Sequence, residues 1–160
     1  MDAAICISTT FLTGRYHGKE WPPSPARLVQ ALVASAKTGA NRALWPQVEE
    51  GLRWLEQQPA PVIFAKPAQP QTPYCLSVPN NDMDVVAKNL AAGRPADPAK
   101  LRKMKTVSPR RVPPEKPHVR YIYRLRDGED ADAILARLKP ACHCLYSLGW
   151  GVDMAFADVT

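Results

Sequence analysis

The N-terminal part of the sequence constrains the fold most, because a strand, a charged loop and a capped helix follow one another there. Residues 4–12 alternate between two sides of an extended chain, which predicts a first strand that is at least partly covered on both faces. Ser24 suits a helix N-cap and Pro25 the first helical position, and apolar residues then recur at helical spacing until Gly39. The chain is therefore predicted to open with a strand–loop–helix unit.

A similar unit is predicted towards the C terminus. Residues 119–125 alternate, with tyrosines on one side and arginines on the other, as in a strand. Asp130 can cap a helix after this strand, and Pro140 is expected to end that helix. Apolar residues alternate again over 152–156, which predicts the last strand.

The remaining elements complete a familiar order. They are a helix over 47–57, strands over 61–65 and 74–78, and a short helix over 82–92. Together the elements predict an α+β, ferredoxin-like (RRM-like) β-α-β-β-α-β sheet with helices on one face. We expect one domain over 1–160, with a basic, proline-rich insertion over 93–117. The uncovered face of such a sheet is where RNA-recognition folds bind their ligand.

Charge is concentrated in one region of the chain. The 160 residues carry a net charge of +6, whereas residues 94–126 hold eleven Lys/Arg against Asp97 and Glu115, a local net of +9 that leaves −3 elsewhere. At 46% hydrophobic and 22% charged, the composition excludes a wholly disordered chain. A localised basic segment favours an interaction surface for a polyanion, and residues 93–117 are expected to be mobile or ordered by a partner.

The cysteines do not predict disulfides or a metal site. Cys142-His143-Cys144 lacks the usual Cys-x2-Cys spacing and has no second ligand pair, while Cys6 and Cys75 stand apart. The N terminus lacks the basic region of a signal peptide, and no apolar segment approaches the roughly 20 residues that span a bilayer. We therefore expect a cytoplasmic protein with reduced thiols and without a membrane, metal or cofactor requirement.

The loop after the first strand carries candidate RNA ligands. Arg15 and Lys19 suit phosphates, and Tyr16 either stacks on a base or packs over the sheet edge. Arg27 lies in the first helical turn, where its charge adds to the positive end of the helix dipole, so we expect it to face an anion. His17 is either a hydrogen-bonding loop residue or, with Tyr16 and Lys19, an activator of a ribose 2′-hydroxyl without metal.

Other candidate RNA-binding residues lie in the basic segment and on the strand after it. They are Lys100, Arg102, Lys103, Lys105, Arg110, Arg111, Arg120 and Arg124. Because alternation places the arginines and tyrosines of the strand on opposite faces, we expect the arginines to face the ligand while Tyr121 and Tyr123 pack. Asp153 has no partner nearby in the sequence and is expected to be a turn or strand-edge carboxylate.

The N-terminal motif resembles the RAMP superfamily of CRISPR-associated proteins. It comprises residues 11–17 (FLTGRYH), 21–25 (WPPSP) and 27–33 (RLVQALV), and the turn at 148–153 (LGWGVD) matches the glycine-bearing turn before the family's last strand. More narrowly, the chain resembles the Cas-five-type subunit in the fused Cas-five/Cas-six protein of type I-G (formerly I-U) systems.

This resemblance implies a role and a set of partners. Such subunits cap the 5′ end of the guide RNA (crRNA) in a Cascade-like effector and contact its backbone and large subunits. In the fused form a Cas-six-type half adds a guide-processing nuclease, but nothing in this sequence matches that half, so cleavage is not carried over. The segment between His17 and Trp21 is also shorter than the family pattern.

Three functions stay open on the sequence. The first is a non-catalytic crRNA 5′-handle-binding and assembly subunit in antiviral defence. The second is a metal-independent endoribonuclease that processes CRISPR repeat RNA through His17, Tyr16 and Lys19. The third is a protein scaffold in the effector without RNA affinity of its own. The lack of a recognisable catalytic constellation favours binding over enzymatic activity.

Overall fold

The computed structural model describes residues 3–79, 83–95, 102–115 and 118–160, which form two compact units. In chain order the elements are β1 (Ala4–Phe11), β2 (Arg15–Tyr16), α1 (Pro25–Ala36), a 3-10 helix (Gly39–Leu44), α2 (Trp45–Gln57), β3 (Val62–Ala65), β4 (Gln69–Pro70), β5 (Tyr74–Pro79), α3 (Met83–Ala91), β6 (Arg102–Val107), β7 (Arg110–Arg111), β8 (His118–Arg124), α4 (Ala131–His143) and β9 (Ala155–Val159). The smaller unit takes the described part of Gln71–Pro109, with β5, α3 and β6, and the larger unit holds the other elements.

Four antiparallel strands form the main sheet of the larger unit in the order β3-β8-β1-β9. Ile7 of β1 lies opposite Tyr121 of β8 on one side and Val159 of β9 on the other. The chain therefore leaves β1 and returns through α1 and α2 to β3, one strand beyond β8. It leaves β8 and returns through α4 to β9, one strand beyond β1. This is the ferredoxin-like arrangement, and the predicted α+β class is confirmed.

Helices α1, α2 and α4 contribute their apolar sides to one core with the main sheet. Strand β1 buries alternate residues, including Ile5 and Ile7, and α1 buries Leu28 and Leu32, one helical turn apart. Full burial of each such side chain stabilises the fold by about 1.5–3 kcal/mol. The predicted cap of α1 is present, since the Ser24 hydroxyl accepts a hydrogen bond from the Arg27 backbone N–H at 3.3 Å.

Helix α4 begins as predicted but does not end at Pro140. Asp130 caps it by accepting from the Ala133 N–H at 3.1 Å, and the helix then continues through Pro140 to His143. Proline cannot donate to the carbonyl four residues earlier, which belongs to Ala136 on the exposed side of the helix, where water can replace the donor. Burial of Ala141 in the core stabilises the additional helical turn.

The last strand starts later than the alternation of large apolar residues predicts. Strand β9 begins at Ala155, and its core-facing residues are the smaller Ala155, Ala157 and Val159. Met154 and Phe156 are exposed on the other side. Small side chains on the inner face allow α4 to pack closely on this edge strand.

The segment expected to be mobile or ordered by a partner holds strands β6 and β7 among its described residues. Within 93–117, β6 pairs with β5 in the smaller unit, and β7 joins the larger unit. The residues of β6 are exposed on both sides except the last, so the strand leaves no apolar alternation in the sequence. The strand predicted over 74–78 and the helix over 82–92 correspond to β5 and α3 of the smaller unit.

Replacing Tyr121 by Phe is expected to lower the free energy of unfolding by about 1–3 kcal/mol. The buried Tyr121 hydroxyl donates to the Pro23 carbonyl at 2.8 Å, and its removal leaves that carbonyl unsatisfied. Tyr123→Phe is the matched control, because the buried Tyr123 hydroxyl has no hydrogen-bond partner among the described residues, and its removal should be neutral or stabilising. Urea unfolding followed by circular dichroism measures both. Equal losses in the two variants would contradict the assignment.

Candidate nucleic-acid interface

A buried histidine–aspartate pair fixes the loop that follows β1. The His17 Nδ1 atom lies 2.6 Å from Asp153 Oδ1, and the His17 backbone N–H donates to both carboxylate oxygens at 3.1 Å. The Trp150 N–H donates to Oδ2 at 2.8 Å, and the Trp150 ring stacks on the imidazole with centroids 5.9 Å apart. The pair therefore ties the loop after β1 to the loop before β9.

Sequence reasoning missed this pair. Asp153 does occupy a turn, since its N–H donates to the Trp150 carbonyl at 2.9 Å, but its side chain is fully buried and bonded to a residue 136 positions earlier. No sequence-local signal links positions so far apart.

Tyr16 packs inside the protein and does not face a ligand. Its ring packs against those of Phe11 and Trp21, with centroid distances of 5.5 and 5.4 Å, and its side chain is fully buried. A Cβ atom at Gly18 would overlap the Tyr16 phenol, which explains the glycine in this motif. Of the two roles considered for Tyr16, packing is the one observed, and base stacking would require this ring to leave the core.

The proposed catalytic trio is not arranged around an accessible surface. Tyr16 is buried, only 4% of the His17 side chain is exposed, and Lys19 is exposed. Burial raises the pKa of the Tyr16 phenol, so at neutral pH it remains protonated and is not a base. In the structure His17 is a loop residue hydrogen-bonded to Asp153.

Two arginines lie side by side at the small sheet β2-β7-β4. Arg15 of β2 is directly opposite Arg111 of β7, and both are exposed. Neither forms an ion pair within the part of the chain that the structure describes. Like charges directly opposite on paired strands destabilise each other. We call these residues the arginine pair, and an anion bound between them would remove the repulsion.

Further cations surround the same loop. The Arg110 Nη2 atom lies 3.4 Å from the Lys19 carbonyl oxygen. Burial is the main cause of the raised pKa of Tyr16, and the positive charges of Arg27 and Arg110 act against it, so both guanidinium groups are within electrostatic reach of that ring. The fold thus gathers at one loop cations from the N-terminal motif, the start of α1 and β7. The exposed Glu20 carboxylate lies in the same neighbourhood.

The other predicted residues lie on other elements or outside the described residues. Arg102, Lys103 and Lys105 are exposed on β6 of the smaller unit, where Arg102 Nη2 donates to the Ser77 carbonyl at 2.7 Å. Lys100 lies outside the described residues. Arg120 and Arg124 are exposed on the open face of the main sheet, and their neighbours Tyr121 and Tyr123 are buried, so the predicted orientation of β8 is confirmed.

The described residues show no cluster of three or more metal-ligating side chains. All four cysteines are free thiols, and burial raises the pKa of Cys142 to about 12, which keeps it protonated. None of the helices in the described ranges is both long and apolar enough to cross a membrane.

Comparison with known proteins identifies the family. Residues 13–159 match the sequence model of the CRISPR-associated protein, GSU0054 family. The chain belongs to this family. The family is described as CRISPR-associated. The matched range holds the whole arginine pair and both members of the His17–Asp153 pair.

One solved structure is similar to this family member over most of its length. It is described as the crystal structure of a CRISPR protein from Archaeoglobus fulgidus, with 14% sequence identity and a TM-score of 0.34. The similarity covers 98% of this chain and 60% of that chain, so this chain spans about 60% of the length of that protein. No curated protein matches.

Replacing Asp153 by Asn is expected to lower the free energy of unfolding by about 3–5 kcal/mol. An amide supplies one acceptor oxygen where the carboxylate supplies two, and its NH2 group would oppose an N–H donor of His17 or Trp150. Asp158→Asn is the matched control, because Asp158 also contacts a histidine, His143, at 3.2 Å, but with both side chains 54% exposed. We expect the control to lose less than about 1 kcal/mol. Chemical denaturation compares the variants, and similar losses would refute the structural role of the buried pair.

Proposed function

We propose that this chain binds the 5′ handle of a CRISPR guide RNA and anchors it within a type I Cascade-like effector. The observation that carries the proposal is the arginine pair, two exposed and directly opposed residues without a carboxylate partner in the described chain. Membership of a CRISPR-associated family supports the biological setting. Assembly on a guide RNA would take place in the cytoplasm.

Guanidinium groups are well suited to this ligand. Each presents a planar set of donors that matches the two free oxygens of a phosphodiester, and the contact is independent of base identity. Two such groups at the spacing of adjacent strands, 4.7–4.9 Å in general, can engage one phosphate or two successive phosphates of a single strand. Lys19, Arg27 and Arg110 around the same loop extend the positive field along the RNA.

The accessibility of the loop residues favours binding over cleavage. A general base must reach the ribose 2′-hydroxyl within hydrogen-bond distance. The His17 ring is almost fully buried and bonded to Asp153, and the Tyr16 phenol is in the core. The arginine pair and Lys19 are exposed, while the imidazole of His17 and the phenol of Tyr16 are inside, and this arrangement favours a site that holds RNA without cutting it.

Assembly with other effector subunits has a candidate surface of its own. Leu12, Val152 and Met154 are 61%, 54% and 41% exposed, and the Leu12 N–H donates to the Met154 carbonyl at 2.9 Å, so two of these apolar residues lie on adjacent chain segments. We infer that they contribute to contacts with the backbone or large subunit, or with a Cas-six-type nuclease half.

The basic strand β6 of the smaller unit would add RNA contacts through Arg102, Lys103 and Lys105. We propose that Lys100 binds RNA as well.

Removing one arginine of the pair is expected to weaken handle binding roughly tenfold at physiological salt, because each supplies a charge-assisted contact to phosphate. Arg15→Gln and Arg111→Gln should each lower the slope of log affinity against log salt by about 0.7, the value for one phosphate of a single strand. Fluorescence anisotropy with a repeat-derived 5′-handle RNA, a scrambled RNA and several salt concentrations measures both quantities.

Arg53→Gln is the matched control for charge. Arg53 is exposed on α2 and bonded to Glu49 at 2.7 Å, so its loss changes the net charge equally without removing an RNA contact. Equal effects of Arg15→Gln and Arg53→Gln would refute the arginine pair as the RNA site. Chelator-insensitive cleavage that His17→Ala abolishes in a folded variant would favour the ribonuclease alternative. A wild-type chain without RNA affinity that co-purifies with effector subunits would favour the scaffold.

A further inference from the structure

The open face of the main sheet carries an exposed aromatic ring beside a cation. Phe64 of β3 lies directly opposite Arg120 of β8 in the strand register, and its side chain is 58% exposed. Successive residues of β8 that share the face of Arg120 are also exposed or half-buried. No described element of the larger unit packs over this position, since the helices lie on the other face with the core.

A cleft of about 450 Å³ opens at this place. It is lined by Phe64, Ala65, Lys66, Glu115, His118 and Arg120. Its volume lies within the usual range for small-molecule sites. The described lining offers the aromatic ring of Phe64, the cations of Lys66 and Arg120, and the carboxylate of Glu115. Neither Lys66 nor Arg120 forms an ion pair within the described ranges. We call this site the Phe64 cleft.

Hydrogen bonds hold parts of the cleft wall in place. The Trp21 Nε1–H donates to the Lys66 carbonyl at 2.8 Å, which fixes the backbone just after β3. The His118 Nδ1 atom lies 2.7 Å from the Thr10 hydroxyl, which fixes the ring of His118. Walls fixed before the ligand arrives reduce the entropy that binding costs.

We propose that the Phe64 cleft binds one unpaired nucleotide of the guide RNA, with the base against the Phe64 ring and its phosphate at Lys66 and Arg120. The inference rests on the proposed function and assigns a second site to it, formed by residues other than the arginine pair. A nucleotide matches this lining because it joins a flat aromatic group to an anion. Single-stranded RNA is generally held by such a combination of aromatic stacking and cationic contacts to the backbone.

The chain provides a matched control for the aromatic ring. Phe156 is also exposed on the open face, at 47%, but its strand neighbours are Thr10 opposite and Asp158 two residues later. It therefore has an acidic residue nearby where Phe64 has cations. Both rings are on edge strands and both are largely outside the core, so replacing either should leave the thermal unfolding midpoint close to that of the wild type.

The test uses handle RNA with 2-aminopurine placed at each position in turn. Phe64→Ala should weaken binding roughly tenfold and abolish fluorescence quenching at one position, whereas Phe156→Ala should stay within about twofold of the wild type. Phe64→Trp should restore affinity and quenching, because a larger aromatic face stacks at least as well. Phe64→Ala should leave the salt slope unchanged, while Arg120→Gln should lower it by about 0.7.

The outcomes separate this inference from the proposed function. If the wild type binds RNA through Arg15 and Arg111 but Phe64→Ala behaves like Phe156→Ala, the Phe64 cleft is not a nucleotide site and the handle-binding proposal stands. If the wild type does not bind RNA at all, both fail. If Phe64→Ala and Phe64→Trp both lose an effector subunit and keep full RNA affinity, the cleft binds a protein segment and the inference is overturned.

Discussion

The geometry of the loop that follows β1 depends on one buried carboxylate. Asp153 is fully enclosed, and a buried carboxylate is costly unless several donors surround it. Its donors are the imidazole and backbone N–H of His17 and the backbone N–H of Trp150. Because these groups come from opposite ends of the chain, satisfying the carboxylate fixes the loop after β1 against the loop before β9.

The same constraint gives the arginine pair its position. Strand β2 contains only Arg15 and Tyr16, and so short a strand has little stability of its own. It is held at one end by His17 and along its inner side by the packed ring of Tyr16. Alternation then directs Arg15 outwards, where β7 places Arg111 opposite it. Cations fixed in advance lose less freedom when a phosphate binds, so under the proposed function the buried pair would contribute to RNA affinity without touching RNA.

Local signals in the sequence were sufficient for most of the fold. Ser24 and Asp130 cap helices where predicted, and the alternation in β8 correctly separates arginines from tyrosines. Contacts between distant residues could not be predicted in this way, as the His17–Asp153 pair shows. The two-residue strands β2 and β7 are too short for any periodicity, so the meeting of Arg15 with Arg111 had no signal in the sequence. Phe64 was missed because an exposed ring on a short edge strand looks like one more apolar strand residue.

The arginine pair and the Phe64 cleft share Trp21 as a structural support. Its ring packs 5.4 Å from that of Tyr16, next to Arg15, and its Nε1–H holds the backbone of Lys66 at the cleft. A shift of the loop after β1 would therefore change the geometry of both the arginine pair and the Phe64 cleft. The two contacts differ physically, because phosphate binding weakens as salt rises while stacking does not. A guide RNA held through both would keep its position at salt concentrations that remove purely electrostatic competitors, which is how a small basic protein can hold one RNA end and release other polyanions.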